Sequence, residues 1–511
     1  MLMRKIIPLF LLISMLLLAA ACSNGSSTNG EQAKPPEKEL TFLFNFASQT
    51  IDPHLDYTPL RAGVVETLVK LGEDLQIQPW LAEEWSSSDG QHWTFKIREQ
   101  VAFQNGKALD ADAVKQSLER AMEQNPGVKQ VLKIKQMEAS GQSLHITTEQ
   151  PFPQFPSELV HPNTAIIDVS APEPDKKPIG TGPFQVAAFT SGSSLKLDRY
   201  EAYWNGAAKL SHASFSFNED ANARLSALMA GDADIVYRPP VESIETMKSD
   251  ASLHLDSVVS LRTNELIFNT EHEDFQNSYV RKAFDALVNR DELKDAIMGG
   301  QATVASGPFL PQFPFVPVYE PKESGVDAAR KWFKQAGYEV EQGKVTKDGQ
   351  PLAFKLATYA SRAEFPLLAQ VLQAQAKELG ITITIAQVDK YEDYLLEKDD
   401  WDLGTYSPLI APRGDASYFL NVAFKPEGSL NFGKINDQEL SAWIEELDQT
   451  VDVNKRNALI KQALTRINEE TYYSYLVHPN TLVVYRDKVK NWVTSKSEYY
   501  MLTNQLDVEV K

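Results

Sequence analysis

The sequence predicts an α/β protein built from two lobes. Segments with the patterns of strands and helices alternate along the chain in two successive blocks, which indicates α/β domains. A chain of 511 residues is too long for one ordinary hydrophobic core, so we expect two or three domains. The hydrophobic content of 43% and the charged content of 23% are typical of a globular protein that can bury such cores.

The first block of elements begins at residues 40–46, an aromatic-rich run that predicts a strand. Residues 93–98 alternate polar and apolar side chains, which is the period of a half-buried strand. A helix is expected to begin at Asp110, because acidic residues in its first turn are favoured by the helix dipole. A further helix is predicted over 220–230, closed by a glycine. The other elements of this block are a helix at 64–71 and strands at 144–148, 184–186 and 195–197.

The second block begins near residue 262 and repeats the alternation of strands and helices, with no internal repeat of fixed period. Its predicted strands are 266–268, 353–358, 381–386 and 482–485, and its predicted helices are 280–298, 326–336, 363–379 and 454–470.

The N-terminal segment has the composition of an export signal. Two basic residues precede an apolar run over 6–21, and the chain's single cysteine, Cys22, follows small residues at the end of that run. The pattern resembles the lipobox of bacterial lipoproteins, and the alternative is a plain signal peptide with an incidental cysteine. We therefore expect a signal peptide over 1–21, lipidation at Cys22, and a flexible linker over 22–38 that tethers the rest of the chain to the outer face of the cell membrane.

Charge and motif content argue against several classes of function. The chain has 69 acidic and 50 basic residues and a net charge of −19, which argues against binding to nucleic acid or to anionic lipid through a basic patch. It carries no Gly-x-Ser-x-Gly, His-Glu-x-x-His or Walker motif, so we expect no enzyme. No two of the eight histidines lie within five positions of one another, which argues against a histidine metal site on one helix.

Several short motifs carry a family resemblance through their order and spacing. They are Ile51-Asp52-Pro53-His54, Glu66-Thr67-Leu68-Val69, Pro79-Trp80-Leu81-Ala82-Glu83, Phe103-Gln104-Asn105-Gly106-Lys107, Gly180-Thr181-Gly182-Pro183-Phe184, Tyr203-Trp204-Asn205-Gly206 and Val280-Arg281-Lys282-Ala283-Phe284. From about residue 40 to the end, the chain resembles the peptide/nickel solute-binding proteins of ABC importers. Most of these motif residues are expected to be scaffold.

The resemblance implies a type II periplasmic-binding-protein-like fold that closes on a ligand between its lobes. Lobe one would comprise 39–261 plus 482–511, with an extra subdomain inserted at about 60–176, and lobe two would comprise 262–481. The resemblance also implies ABC permease and ATPase subunits as partners, an extracytoplasmic location, and a monomer without a prosthetic group.

The early segment 52–68 and the segment 407–415 look most like the nickel-binding branch of this family. That branch carries nickel(II) as a chelate with small organic ligands such as histidine or a metallophore. Imidazole suits Ni²⁺, and the carboxylates of a chelator favour arginine partners. The alternative is a di- or oligopeptide carrier of the same family.

Two histidines are candidate metal ligands. His161 falls where the nickel branch commonly has a carboxylate-binding arginine, so it would ligate the metal or donate to a carboxylate. His478 lies near the predicted return crossing into lobe one. The alternatives are a loop histidine bonded to backbone for His161 and a buried, hydrogen-bonded imidazole for His478.

Four further residues are candidate ligand contacts. Arg413 lies in a Pro/Gly loop that could present its guanidinium to a carboxylate, and the alternative is an ion pair with Asp415. Arg61 is a second candidate, with a surface salt bridge as the alternative. Tyr406 and Tyr418 could stack on imidazole or peptide groups, or belong to the core.

Overall fold

A mixed sheet of twelve strands runs through the protein. The structure is a computed structural model that describes residues 37–510, so the predicted signal peptide and Cys22 lie outside the described residues. The strands in this range are β1 (Glu39–Phe44), β2 (Val69–Leu71), β3 (Ile77–Pro79), β4 (Ala82–Ser86), β5 (His92–Ile97), β6 (Ile134–Ser140), β7 (Ser143–Thr148), β8 (Phe184–Thr190), β9 (Ser194–Arg199), β10 (His212–Phe217), β11 (Ile235–Tyr237), β12 (Leu253–Val259), β13 (Asn264–Phe268), β14 (Ala302–Val304), β15 (Glu339–Glu341), β16 (Lys344–Lys347), β17 (Gln350–Pro351), β18 (Ala353–Thr358), β19 (Thr382–Gln387), β20 (Leu403–Tyr406), β21 (Tyr473–Arg486), β22 (Val489–Lys490) and β23 (Asp507–Val508).

Helices flank the sheets. Those in the same range are α1 (Thr58–Arg61), α2 (Ala111–Gln124), α3 (Pro126–Leu132), α4 (Phe155–Glu158), α5 (Ala221–Ala230), α6 (Ile244–Ser249), α7 (Glu273–Gln276), α8 (Ser278–Leu287), α9 (Arg290–Glu292), α10 (Val326–Gln335), α11 (Glu364–Glu378), α12 (Tyr391–Glu397), α13 (Ser417–Phe424), α14 (Gln438–Gln449) and α15 (Val453–Glu470). No helix between residues 37 and 510 combines the length and the apolar character that crossing a bilayer requires.

The long strand β21 joins the two halves of the large sheet. Its first part pairs with β13 and β14, and its second part pairs with β11 and β12. The strand order is β19-β18-β20-β13 on one side of β21 and β11-β1-β10-β9-β8 on the other. The chain thus passes from one half to the other between β12 and β13 and returns within β21.

A separate antiparallel sheet, in the order β4-β5-β7-β6, forms between β1 and β8 along the chain. Helix α2 packs on its β6 and β7 strands. The helix begins directly after Asp110, close to the predicted start, and the Asp110 side chain caps it by accepting a hydrogen bond from the Ala113 backbone N–H. The sheet lies within about 60–176, the segment that we predict to be an inserted subdomain.

Most sequence-predicted elements are confirmed within one or two residues, including the strand at 353–358 and the helix ended by Gly231, whose φ is 90°. The predicted helix at 64–71 is wrong. Residues 62–69 are all buried, and the Val64 carbonyl accepts hydrogen bonds from Gly182 N and Gln104 Nε2 instead of a helical neighbour. These partners come from distant segments, so they hold the backbone in an irregular path that ends in β2.

The predicted long helix at 280–298 is interrupted. Helix α8 ends at Leu287, and Asn289 then caps a new turn by accepting a hydrogen bond from the Glu292 backbone N–H. A short π-helical turn over Leu293–Ile297 follows. A side-chain cap in mid-segment therefore divides what the apolar periodicity predicts as one helix.

Candidate ligand-binding site

A cavity of about 300 Å³ lies between the segments 125–164 and 413–448. Three of the six candidate residues other than Cys22 line it: His161, Arg413 and Tyr418. Its other polar lining groups include Tyr57, Glu158, Asn163, Ser417 and Asn421. The cavity is large enough for a small-molecule ligand.

Arg413 is held by a buried ion pair. Its Nη1 contacts a carboxylate oxygen of Glu158, and the two side chains are only 2% and 5% exposed. Its guanidinium carbon lies 4.0 Å from the centroid of the Tyr418 ring, a cation–π arrangement. The partner is therefore Glu158 rather than Asp415, whose carboxylate lies 3.4 Å from Arg456.

His161 uses both ring nitrogens in hydrogen bonds. Nδ1 accepts from the backbone N–H of Asn163 at 3.2 Å, and Nε2 lies 3.0 Å from the Tyr57 hydroxyl. The His161 and Tyr57 rings meet edge to face with centroids 5.3 Å apart. Burial lowers the pKa of His161 to about 4, so the imidazole is neutral near pH 7.

His478 lies on β21 and does not line the cavity of about 300 Å³. Its Nδ1 is 2.8 Å from Thr263 Oγ1, and among the described residues Nε2 has no hydrogen-bond partner. It lines a separate pocket of about 10 Å³ whose other walls are mostly apolar. Such a pocket has room for roughly one water molecule, and burial lowers the pKa of His478 to about 4.

Arg61 and Tyr406 do not line the cavity. The Arg61 guanidinium lies 5.4 Å from the Tyr57 ring centroid, and its Nε donates to the Glu498 backbone carbonyl at 3.0 Å. These contacts differ from the surface salt bridge that was the alternative for Arg61. The Tyr406 hydroxyl donates to Glu392, and its ring stacks near Tyr391.

Three arginines that the sequence analysis missed extend the site beyond Arg61. Arg262 makes a two-point ion pair with Glu498, at 2.9 and 3.1 Å. Arg238 Nη2 and Arg362 Nη1 lie 3.2 and 3.7 Å from the same oxygen of Glu364. We call Arg61, Arg238, Arg262 and Arg362 the arginine cluster.

The arginine cluster has an excess of positive charge. Its four guanidiniums are within ion-pair distance of only two carboxylates in the described part of the chain, those of Glu364 and Glu498. Burial, followed by repulsion from Arg238 and Arg262, lowers the pKa of Arg362 to about 10. Burial alone would raise the pKa of Glu498, but the Arg262 charge lowers it to about 2. Such a site favours an added anion, and guanidiniums can bind a carboxylate through two parallel hydrogen bonds.

The predicted strand and helix boundaries could have indicated Arg262 and Arg362, whereas Arg238 is distinguished only by its backbone conformation in the structure. Arg362 follows β18 and precedes α11, and ligands of α/β proteins commonly bind beyond the carboxyl ends of strands. Arg262 lies at the crossing between β12 and β13. Arg238 has a φ of 51°, a left-handed conformation that is rare outside glycine and recurs at functional sites. Arg224 supports this turn by donating to the carbonyls of Tyr237 and Arg238.

Polar contacts join residues of the predicted first lobe to residues of the predicted second lobe, on the two sides of what we call the cleft. Three of them are the ion pairs of Arg238, Arg262 and Arg413 already described. Two more join the predicted inserted subdomain to the predicted second lobe: Lys133–Asp448 at 3.4 Å and Gln154–Asp415 at 3.2 Å. These contacts join segments that the sequence analysis assigns to different lobes.

Comparison with known proteins shows what the chain is similar to. The profile of the bacterial extracellular solute-binding proteins, family 5, matches residues 76–431. The nickel-binding protein NikA of Staphylococcus aureus is 30% identical over 473 residues, which is 92% of this chain and 94% of that protein. The crystal structure of that protein in complex with Ni(L-His)2 has a TM-score of 0.85, at 30% identity, and covers 92% of this chain and 100% of that one.

A second solved structure is closer in sequence. The nickel ABC transporter protein of Bacillus halodurans is 51% identical, with a TM-score of 0.76, and the match covers 92% of this chain and 100% of that one. These likenesses confirm the predicted two-lobed, type II fold and a protein that binds a solute outside the cytoplasm rather than an enzyme. The chain belongs to family 5 of the bacterial extracellular solute-binding proteins.

Proposed function

We propose that the protein captures nickel(II) as a chelate with small organic ligands, such as histidine or a metallophore, and delivers it to the permease of an ABC importer. Relatives that match over most of their length are described as nickel-binding, and one of them holds Ni(L-His)2. A nickel chelate is the transported ligand here and not a prosthetic group.

The observation that carries this proposal is the positive excess of the arginine cluster beside the cavity. A nickel–histidine chelate presents carboxylates, and guanidiniums bind carboxylates through paired hydrogen bonds. Arg61 links the two features, because its guanidinium faces the Tyr57 ring that lines the cavity.

The distribution of metal-binding side chains favours a chelate over a bare ion. Within residues 37–510, the group able to offer three ligands to one ion is Glu37, Glu39 and His212, and none of these residues lines the cavity. The organic chelator would therefore supply most of the donor atoms to nickel. Of the two histidines predicted as metal ligands, His161 lines the cavity and His478 lines the separate small pocket.

The proposal includes closure of the predicted lobes and a tether. Lobe one (39–261 plus 482–511) and lobe two (262–481) would close over the chelate, and the ion pairs across the cleft support this division. A lipid on Cys22 would hold a monomer at the outer face of the membrane, close to the permease.

Isothermal titration calorimetry tests the function. Purified protein is titrated with Ni²⁺ alone, with L-histidine alone and with the two together. We expect tight, one-to-one binding of the mixture and much weaker binding of either component alone. An absence of histidine-dependent nickel binding would contradict the proposal for this chelator.

The peptide alternative has a separate signature. A di- or oligopeptide carrier would show a rise in melting temperature with peptides, and that rise would persist in the presence of a strong metal chelator. We expect no such rise for this protein.

A further inference from the structure

The hydrogen bonds of His161 fix which ring nitrogen carries its proton. The backbone N–H of Asn163 can only donate, and it points at Nδ1 from 3.2 Å. Nδ1 must therefore carry a lone pair, which excludes the doubly protonated ring. A neutral imidazole has one N–H, so that proton is on Nε2.

The same reasoning fixes the role of the Tyr57 hydroxyl. Nε2–H of His161 donates to Tyr57 Oη, at 3.0 Å, and the oxygen accepts. The hydroxyl proton of Tyr57 must then point elsewhere, and no acceptor among the described residues receives it. Burial raises the pKa of Tyr57 to about 12, so the hydroxyl keeps this proton near neutral pH.

The surroundings of Tyr57 favour an anionic acceptor. Tyr57 lines the cavity together with Arg413, and the guanidinium of Arg61 lies over its ring. The nearby carboxylate of Glu158 is occupied by Arg413. A negatively charged oxygen entering the cavity would accept a hydrogen bond from the Tyr57 hydroxyl and would also be attracted by the two guanidiniums.

We propose that His161 is a positioning residue that aims the Tyr57 hydroxyl at a carboxylate of the bound chelate, and that it is not a nickel ligand. This inference rests on the proposed function, because the carboxylate is that of the captured chelate. It assigns Tyr57 as a ligand contact and gives His161 a role different from both roles expected from the sequence, which were metal ligation and direct donation to a carboxylate.

Metal ligation by His161 would require a rearrangement that the structure does not contain. Binding through Nε2 would displace its proton and the Tyr57 contact, and binding through Nδ1 would break the bond from Asn163 N–H. Neither ring nitrogen offers a free lone pair to the cavity. The positioning role keeps both hydrogen bonds.

Nitrogen-15 NMR of the ligand-free protein tests the proton assignment without any nickel. The His161 signals are identified by their loss in His161→Asn, a variant whose side chain can still cap Asn163 N–H. We expect Nε2 protonated and Nδ1 unprotonated, and we expect Tyr57→Phe to shift the Nε2–H resonance. A proton on Nδ1, or no response to Tyr57→Phe, would overturn the inference.

Binding and nickel spectroscopy test the role in capture. With Ni²⁺ plus L-histidine as the probe, Tyr57→Phe and His161→Asn should each weaken binding by roughly 10-fold. The double variant should be no weaker than either single one, since both remove the same interaction. The X-ray absorption spectrum of bound nickel should be unchanged in His161→Asn. Loss of a nitrogen ligand from that spectrum, or additive losses of affinity, would contradict the positioning role.

These measurements separate two kinds of failure. If wild-type protein does not bind the nickel–histidine mixture, the proposed function fails for that probe, and NMR still decides the His161–Tyr57 arrangement. If wild-type protein binds the mixture but Tyr57→Phe binds equally well, the function stands and the present inference fails. Melting temperatures of all variants confirm that each one is folded.

Discussion

The guanidinium of Arg262 donates hydrogen bonds to both carboxylate oxygens of Glu498, at 2.9 and 3.1 Å. This ion pair joins the crossing between β12 and β13 to the C-terminal segment. Arg262 also donates to the Ser407 carbonyl at 2.6 Å. Because Glu498 neutralises Arg262, the unbalanced positive charge of the arginine cluster falls on Arg61, Arg238 and Arg362. Of these three, Arg238 and Arg362 share the carboxylate of Glu364.

Replacing Arg362 tests whether that excess charge binds the ligand. We expect Arg362→Gln to weaken binding of the nickel–histidine chelate by about 10- to 100-fold, since a hydrogen bond to a charged group contributes about 1.5–3 kcal/mol. Its melting temperature should not fall, because Arg362 is repelled by Arg238 and Arg262. The measurement is calorimetric affinity, with Arg199→Gln as the control from a surface pair with Glu201. Unchanged affinity in Arg362→Gln would remove the cluster from the site.

Substitutions at Arg413 and Glu158 should have strongly non-additive effects on the free energy of unfolding. Glu158→Gln leaves a buried guanidinium without its counter-charge, so the free energy of unfolding should fall by about 3–5 kcal/mol. Arg413→Gln should be similarly destabilised, and the double variant should recover part of the loss. Urea unfolding of the four proteins measures this cycle. Additive losses would show that the two groups do not interact as the structure has them.

Glu66 should make stability fall as pH rises. Burial raises its pKa from 4.5 to about 7, although Tyr203, Trp204 and Thr181 all donate to the carboxylate. The folded state then holds a proton that the unfolded state releases above about pH 4.5. Its contribution is complete below that pH and is lost by about pH 7, a change of about 3 kcal/mol. Glu66→Gln should flatten the dependence of unfolding free energy on pH between 4.5 and 7; an unaltered slope would refute the assignment.

Because the Arg238 backbone is left-handed, substitutions by glycine and by alanine distinguish the effect of backbone conformation from the loss of the side chain. Glycine adopts this conformation without strain, whereas alanine does not, so Arg238→Gly should be about 1 kcal/mol more stable than Arg238→Ala. Both variants lose the contact to Glu364 and should lose chelate affinity equally. Thermal unfolding and calorimetry measure the two effects. Equal stabilities would mean that the turn relaxes to another conformation.

The sequence predicted the fold well where one local pattern dominates. The alternation at 353–358 and the glycine after 230 needed no tertiary information. The error at 64–71 arose because that segment is buried on every side and bonds to residues near 104 and 182. Apolar residues in such a segment give no reliable helical period.

The candidate site was only partly accessible from sequence. Three residues chosen from the sequence, His161, Arg413 and Tyr418, line one cavity. Arg238 and Arg362, which the sequence analysis did not select, are 124 residues apart in the chain and meet at Glu364. Their convergence is a product of the fold around β21. The tautomer of His161 likewise depends on Tyr57, a partner 104 positions earlier in the chain.

Native mass spectrometry of the protein mixed with Ni²⁺ and L-histidine tests the central claim most directly. The account predicts a complex containing one nickel ion together with at least one histidine per chain, absent when either component is omitted. A spectrum showing only the bare protein, or nickel bound without an organic ligand, would contradict capture of a nickel–histidine chelate in the cavity beside the arginine cluster.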